Sequence, residues 1–267
     1  MMLAFVLGGL IGMVLGLTGA GGGILAVPAL VLGLGWPMTQ AAPVALLAVG
    51  VSAAVGAIDG LRQRIVRWRA ALLMALLGTL FTPLGLLVAH RMPERGLMGL
   101  FCAVLLVVAW RMFSQSRDRP CAGSGIDHSW EQKNCMLNQD TGRLSWTLRC
   151  SITLSVVGSC CGFLTGLLGV GGGFLLVPAF RQLTDIRVHG IIATSLMVIA
   201  LVSGMAILGA LHAGVRIPLE GGYFIVASVA GMVIGRVLSP RLPARVLQAG
   251  FAALCVGVAL YLGARVL

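Results

Sequence analysis

The chain has 267 residues, 58% of them hydrophobic and only 10% charged, with a net charge of +11 at pH 7. A mean hydropathy of +1.01 excludes an ordinary soluble domain, where roughly a quarter of residues are charged, and predicts an all-α polytopic membrane protein. The positive charge calls for no nucleic-acid partner, because nearly all the basic residues fall in short turns between apolar runs, where membrane insertion favours them on the cytoplasmic side.

The first apolar run covers 2–35. It starts at Met1 without the basic region and small-residue cleavage site of a secretory signal, so it reads as mature structure. At about 1.5 Å per residue it is too long for one straight crossing of a core about 30 Å thick. The stretch GLTGAGGGILAVP, Gly16 to Pro28, interrupts it. Glycine permits a sharp bend, so the run predicts a helix, a tip and a shorter returning helix. Further runs at 38–60, 69–90 and 95–113 are each near the length needed to span. Residues 114–150 are polar and mixed in charge, with no apolar periodicity long enough for a core. They hold Cys121, His128, Trp130 and Cys135, whose spacing is poor for zinc and whose thiols are expected free in a reducing cytoplasm. Runs at 151–180, 188–213, 219–238 and 244–264 bring the apolar segments to eight.

The interrupted motif recurs. From Gly166 the chain reads GLLGVGGGFLLVP, displaced by 150 residues, and 11 of the 18 positions from Gly12 to Ala29 match Gly162 to Ala179. The same displacement pairs Gly85 with Gly235, Arg91 with Arg241, Pro93 with Pro243, Arg95 with Arg245 and Phe101 with Phe251. Chance glycine richness does not reach so far downstream. The chain therefore divides into a first transmembrane repeat at 1–113, a polar linker at 114–150 and a second repeat at 151–267.

Duplicated transporter halves are parallel or inverted. If each first segment crosses once, the halves are parallel and the 19 Lys and Arg residues divide 12 to 7. If 2–35 dips in and returns to its own face, each half adds three crossings and the second half is inverted. One face then gathers Arg62, Arg64, Arg67, Arg69, Arg111, the linker's five, Arg181, Arg187, Arg236, Arg241 and Arg245, a division of 15 to 4. The stronger bias favours inverted repeats, with the linker cytoplasmic and both termini outside.

Non-helical backbone survives at membrane depth only where protein or a watered cavity receives its polar groups. Helices restarting near Gly22 and Gly172 present unpaired N–H groups and positive dipole ends, which attract anions. Inverted halves would bring the two tips together near the midplane as one anion site lined by Thr18, Gly21, Gly22, Gly23, Gly171, Gly172 and Gly173. The alternative is that these glycines serve only close helix packing. Thr194 and Ser195 lie about a turn and a half beyond His189 if 188–213 is one helix. Hydroxyl donors suit an oxyanion, and a histidine could add charge or carry a proton. Otherwise the hydroxyls bond back to their own helix and His189 sits at the membrane edge. Asp59 and Glu220 fall at segment ends, where charge pairing or capping is expected, and Arg236 is placed to snorkel. Cys160 and Cys161 read as small apolar filler beside the second motif.

Two copies of G-x-x-x-G-L-x-G-x-G-G-G-x-L-x-V-P, the second followed by His189, Thr194 and Ser195, resemble the TauE/SafE family of bacterial sulfite exporters and anion permeases, over everything but 114–150. The resemblance implies a multi-pass inner-membrane permease for sulfite, sulfonates and related small anions, without a cofactor. It also implies a Gly-Thr-Ser element in the first half. Here that place holds Pro43, Val44 and Ala45, with Thr39 where the second half has His189. The expected partners are a small anionic substrate, the lipid bilayer and a coupling ion, proton or sodium. A carboxylate permease, or a channel or structural partner, is the alternative. An intramembrane enzyme is not expected, since no histidine is paired with a Ser or Cys in a recognisable arrangement.

Overall fold

The computed structural model describes residues 2–19, 22–117, 147–170, 172–183, 188–212, 218–238, 250 and 252–261. Among them the chain is all helical: α1 (Met2–Thr18), α2 (Gly22–Gly33), α3 (Met38–Arg62), α4 (Trp68–Arg91), α5 (Glu94–Arg117), α6 (Leu148–Leu168), α7 (Gly173–Leu183), α8 (Val188–His212) and α9 (Leu219–Leu238), then α10 (Ala252–Tyr261). Among the described residues five stretches are long and apolar enough to cross a bilayer: Gln40–Arg62, Trp68–Ala89, Leu148–Leu168, Gly190–Gly209 and Leu219–Leu238. The protein is thus a multi-pass membrane protein in which helix takes residues from both ends of the expected linker. Cys121 and Cys135, expected as free thiols, lie outside the described residues, but Cys150, at the start of α6, is disulfide-bonded.

Lipid replaces water around these helices, so their outer faces are apolar. Leu72, Leu76, Leu80, Leu84 and Leu87 run along one exposed face of α4. Packing between helices without a hydrophobic drive depends on close backbone approach, which small residues allow. Gly8, Gly12 and Gly16 recur every four residues and so share one face of α1. They lie against Phe224, Ser228 and Met232 of α9 in that order, so α1 and α9 run parallel. A Cβ at Gly8 would stand 2.5 Å from the Phe224 carbonyl oxygen. One repeat length on, Gly158, Gly162 and Gly166 of α6 lie against Met74, Gly78 and Thr82 of α4, again in parallel. Among the described helices these two pairings are the most extensive. The broken segment of each half therefore packs on a helix of the other half.

Helix directions follow from the same contacts. Gly50 meets Ser203 while Gly60 meets Ala193, so α3 and α8 run antiparallel through the centre. Ser52 pairs with Ser228 while Asp59 pairs with Arg236, so α3 and α9 run parallel. Gly22 stands beside Leu15 and Gly33 beside Leu7, which makes α1 and α2 an antiparallel hairpin. The first segment thus returns toward its own starting face, as the length of 2–35 suggested. The α3–α4 turn at 62–67 and the start of α8 lie at the linker end of the bundle, and the N-terminus of α1 at the other.

Candidate functional site

Both hairpins break at equivalent glycines. Gly19 (φ 77°) and Gly169 (φ 68°) are left-handed, a conformation open to glycine at little cost. Each ends its helix with a backbone bond, Gly19 N–H to Leu15 at 2.8 Å and Gly169 N–H to Thr165 at 2.9 Å. Side chains from the opposite half fill the outside of each bend: a Cβ at Gly19 would strike Ile192, and one at Gly169 would strike Ala42. Ile192 lies near the start of α8 and Ala42 near the start of α3, so the two breaks are staggered along the bundle. They come together one turn later, where a Cβ at Gly23 would be 2.9 Å from the Val170 carbonyl oxygen and 3.3 Å from Val49 Cγ1. Gly22 and Gly23 are buried in the first turn of α2. Gly172 is left-handed at φ 57°, and α7 starts at Gly173. Gly21 and Gly171 lie outside the described residues.

Polar chemistry gathers at the first break. The Ser195 hydroxyl donates to the Ile192 carbonyl at 2.8 Å and lies 3.3 Å from the Gly19 carbonyl oxygen. Its neighbour Thr194 donates to Gly190 O at 2.6 Å and accepts the Arg67 backbone N–H at 3.2 Å. Both side chains are fully buried. Thr18 donates to Val14 O at 2.8 Å. His189 lies in the first turn of α8, and its side chain is outside the described residues. The hydroxyls thus bond back to their own helices and also tie α8 to the first break and to the α3–α4 turn. Around the second break the equivalent positions are Val44 and Ala45, and the hydroxyl there is that of Thr165, fully buried beside Gly172 and donating to Cys161 O at 2.7 Å.

The α3–α4 turn has a definite construction. Arg64 is left-handed at φ 56°, with Arg64 N–H bonded to Leu61 O at 3.0 Å and Ile65 N–H to Gly60 O at 3.1 Å. This is the paired bonding of a Schellman cap, with arginine where glycine is usual. It turns the chain so that Val66 is buried and Arg67 stands as the N-cap of α4. Nearby, Arg236 does not snorkel outward. It pairs with Asp59 at 2.7 Å and donates to Gly56 O at 2.6 Å, joining α9 to α3. Midway down α8, the fully buried Ser203 hydroxyl has no hydrogen-bond partner. Cys161 is buried whereas Cys160 is exposed. Among the described residues no three His, Cys, Asp or Glu side chains form a metal-binding group.

The family described as sulfite exporter TauE/SafE matches residues 4–262. Two proteins of Xylella fastidiosa, each described as a "Probable membrane transporter protein", are similar over 260 residues, 95% of this chain and 91% of each relative. The one from strain Temecula1 / ATCC 700964 is 31% identical and the one from strain 9a5c 30%. No solved structure matches significantly.

Proposed function

The chain belongs to the TauE/SafE family of membrane transporters, not an enzyme family, and from that premise we propose that it is a secondary permease for small anions, with sulfite and sulfonates as its substrate class. The observation that carries this reading is the pair of left-handed glycine breaks one repeat apart, Gly19 and Gly169, whose hairpins meet at Gly23 and Val170 inside the bundle. The amides at the start of α2 and α7 supply positive potential, and Thr194 and Ser195 supply hydroxyls at the first break. Thr18, Gly21, Gly22, Gly23, Gly171, Gly172, Gly173 and His189 complete the proposed substrate path. Sulfur-oxyanion preference rests on the family, because hydroxyls and dipole ends also accept a carboxylate.

The repeats, 1–113 and 151–267 about the linker, are inverted in this reading. Supporting it, α1 and α9 run with α3, α6 runs with α4, and α8 runs against α3, so equivalent helices oppose each other. Alternating access then moves bodies that cross the halves: α1 and α2 travel with α9, and α6 and α7 with α4, about the α3–α8 pair. The linker face is cytoplasmic by its share of basic residues, 15 of 19. The Cys150 disulfide pulls the other way, since such bonds persist in oxidising compartments. The orientation proposed follows the charge.

Proteoliposome counterflow with sulfite, thiosulfate, sulfoacetate, taurine and simple carboxylates tests the function, with bulky replacements at Gly22 and Gly172. Saturable exchange by the wild type, lost in the variants, is expected. No uptake of any panel member refutes the permease, and normal transport by the bulky variants refutes the site.

A further inference from the structure

Arginine inside or beside a membrane bundle normally has a visible use. Arg236 has two, Asp59 and the Gly56 carbonyl. Arg69 places its guanidinium 5.2 Å from the Trp68 ring centroid. Arg62 and Arg64 are exposed at the turn. Arg67 differs from all of these. Its Nε is inaccessible to solvent and has no hydrogen-bond partner. Its guanidinium makes no ion pair among the described residues, since Asp59 is engaged by Arg236. A buried donor without a partner is uncommon and calls for a physical reason. The backbone holds Arg67 firmly nonetheless, through its N–H on Thr194 Oγ1 at 3.2 Å, and Ser195 on the next position reaches the Gly19 break.

We propose that Arg67, half-buried at the start of α4, is the charge-binding residue of the anion site, its guanidinium receiving a sulfonate, sulfite or carboxylate oxygen at the linker end of the substrate path. This assignment rests on the permease reading above and adds to it the one cation that reading lacked. Guanidinium presents parallel N–H groups that match two oxygens of a planar or pyramidal oxyanion, a geometry lysine does not reproduce. The equivalent position in the second repeat is Ile217, and the equivalents of Thr194 and Ser195 are Val44 and Ala45, so the second break offers no matching cation or hydroxyls. Recognition of charge is therefore one-sided. The anion is held at the first break and passes the second by backbone contact beside the buried Thr165 hydroxyl.

The test is counterflow of sulfite and of sulfoacetate in proteoliposomes with the wild type, Arg67→Gln, Arg67→Lys and, as a control, Arg69→Gln. Loss of a charged hydrogen bond predicts a KM raised about 10- to 100-fold in Arg67→Gln with Vmax largely kept. Arg67→Lys should recover part of the affinity, and Arg69→Gln should match the wild type. Thermal stability of Arg67→Gln in detergent should equal or exceed that of the wild type, because no intramolecular bond of the side chain is lost. In parallel, sulfite should protect Arg67 of the wild type from phenylglyoxal, read by peptide mass. A wild type active in counterflow combined with unchanged KM in Arg67→Gln, or absence of protection, overturns the assignment and leaves the permease standing. A lowered Vmax and stability at constant KM also overturns it, in favour of a structural arginine. A wild type inactive on every anion refutes the permease and this assignment with it.

Discussion

Replacing Gly169 by alanine separates two contributions to the break. At φ 68° a non-glycine residue costs roughly 1–2 kcal/mol in backbone strain. The new methyl would also collide with Ala42 Cβ and stand 3.1 Å from Ala42 Cα. Overpacking of this kind costs about 1–3 kcal/mol, so Gly169→Ala should lose about 2–5 kcal/mol in all. Only the collision depends on the Ala42 methyl. A double-mutant cycle with Ala42→Gly should therefore return a coupling of about 1–3 kcal/mol, the strain remaining in the double variant. The measurement is unfolding in mixed micelles by denaturing-detergent titration, followed by helical ellipticity. Gly99→Ala serves as the reference, since a Cβ there meets nothing within 4 Å and helix propensity favours alanine by up to about 1 kcal/mol. A loss at Gly169 below about 0.5 kcal/mol, within the range of neutral surface changes, refutes the left-handed break. A coupling near zero refutes the contact between the second break and α3.

Other expectations concern the packing, the turn and the orientation. Gly12→Leu and Gly162→Leu should each prevent assembly, because even a Cβ would collide with backbone of Ser228 or Gly78. Arg64→Gly should stabilise the Schellman turn by up to about 1 kcal/mol with transport unchanged; destabilisation would contradict the left-handed assignment. Asp59→Asn should cost no more than about 1 kcal/mol, since the Asp59 side chain is 46% exposed and such pairs are weakened by solvent; a larger loss means the α3–α9 tie is buried in use. In a cysteine-free background, Arg64→Cys should resist an impermeant thiol reagent outside intact cells while Met92→Cys reacts. The reverse pattern places the linker face outside, in keeping with the Cys150 disulfide.

Much of this architecture was legible in the chain because it depends on local pattern. The repeat is visible as identity at constant displacement, and the length of 2–35 together with its glycines required a hairpin. Gly8, Gly12 and Gly16 announce a close-packing face by their spacing, but spacing does not say whose backbone comes close. The exchange of partners between halves, α1 on α9 and α6 on α4, is a tertiary fact. At the site, Thr194 and Ser195 stood out as hydroxyls in an apolar helix. Each bonds back to its own helix, and each also reaches another element; their part in an anion site is the proposal made above. Arg236 read as a snorkelling residue because Asp59 lies 177 positions earlier, and no periodicity links them. Arg67 was hidden among Arg62, Arg64 and Arg69, alike in type and turn position, and only the burial of its Nε sets it apart.

The central claim is that an anion crosses where two glycine-broken hairpins meet. Counterflow of labelled sulfite in proteoliposomes, compared between the wild type and Gly23→Val, tests it most directly, because Gly23 is the point of contact with Val170. Saturable, trans-stimulated uptake by the wild type and its loss in a Gly23→Val protein that still folds is the predicted result. Equal saturable uptake by both proteins would contradict the account.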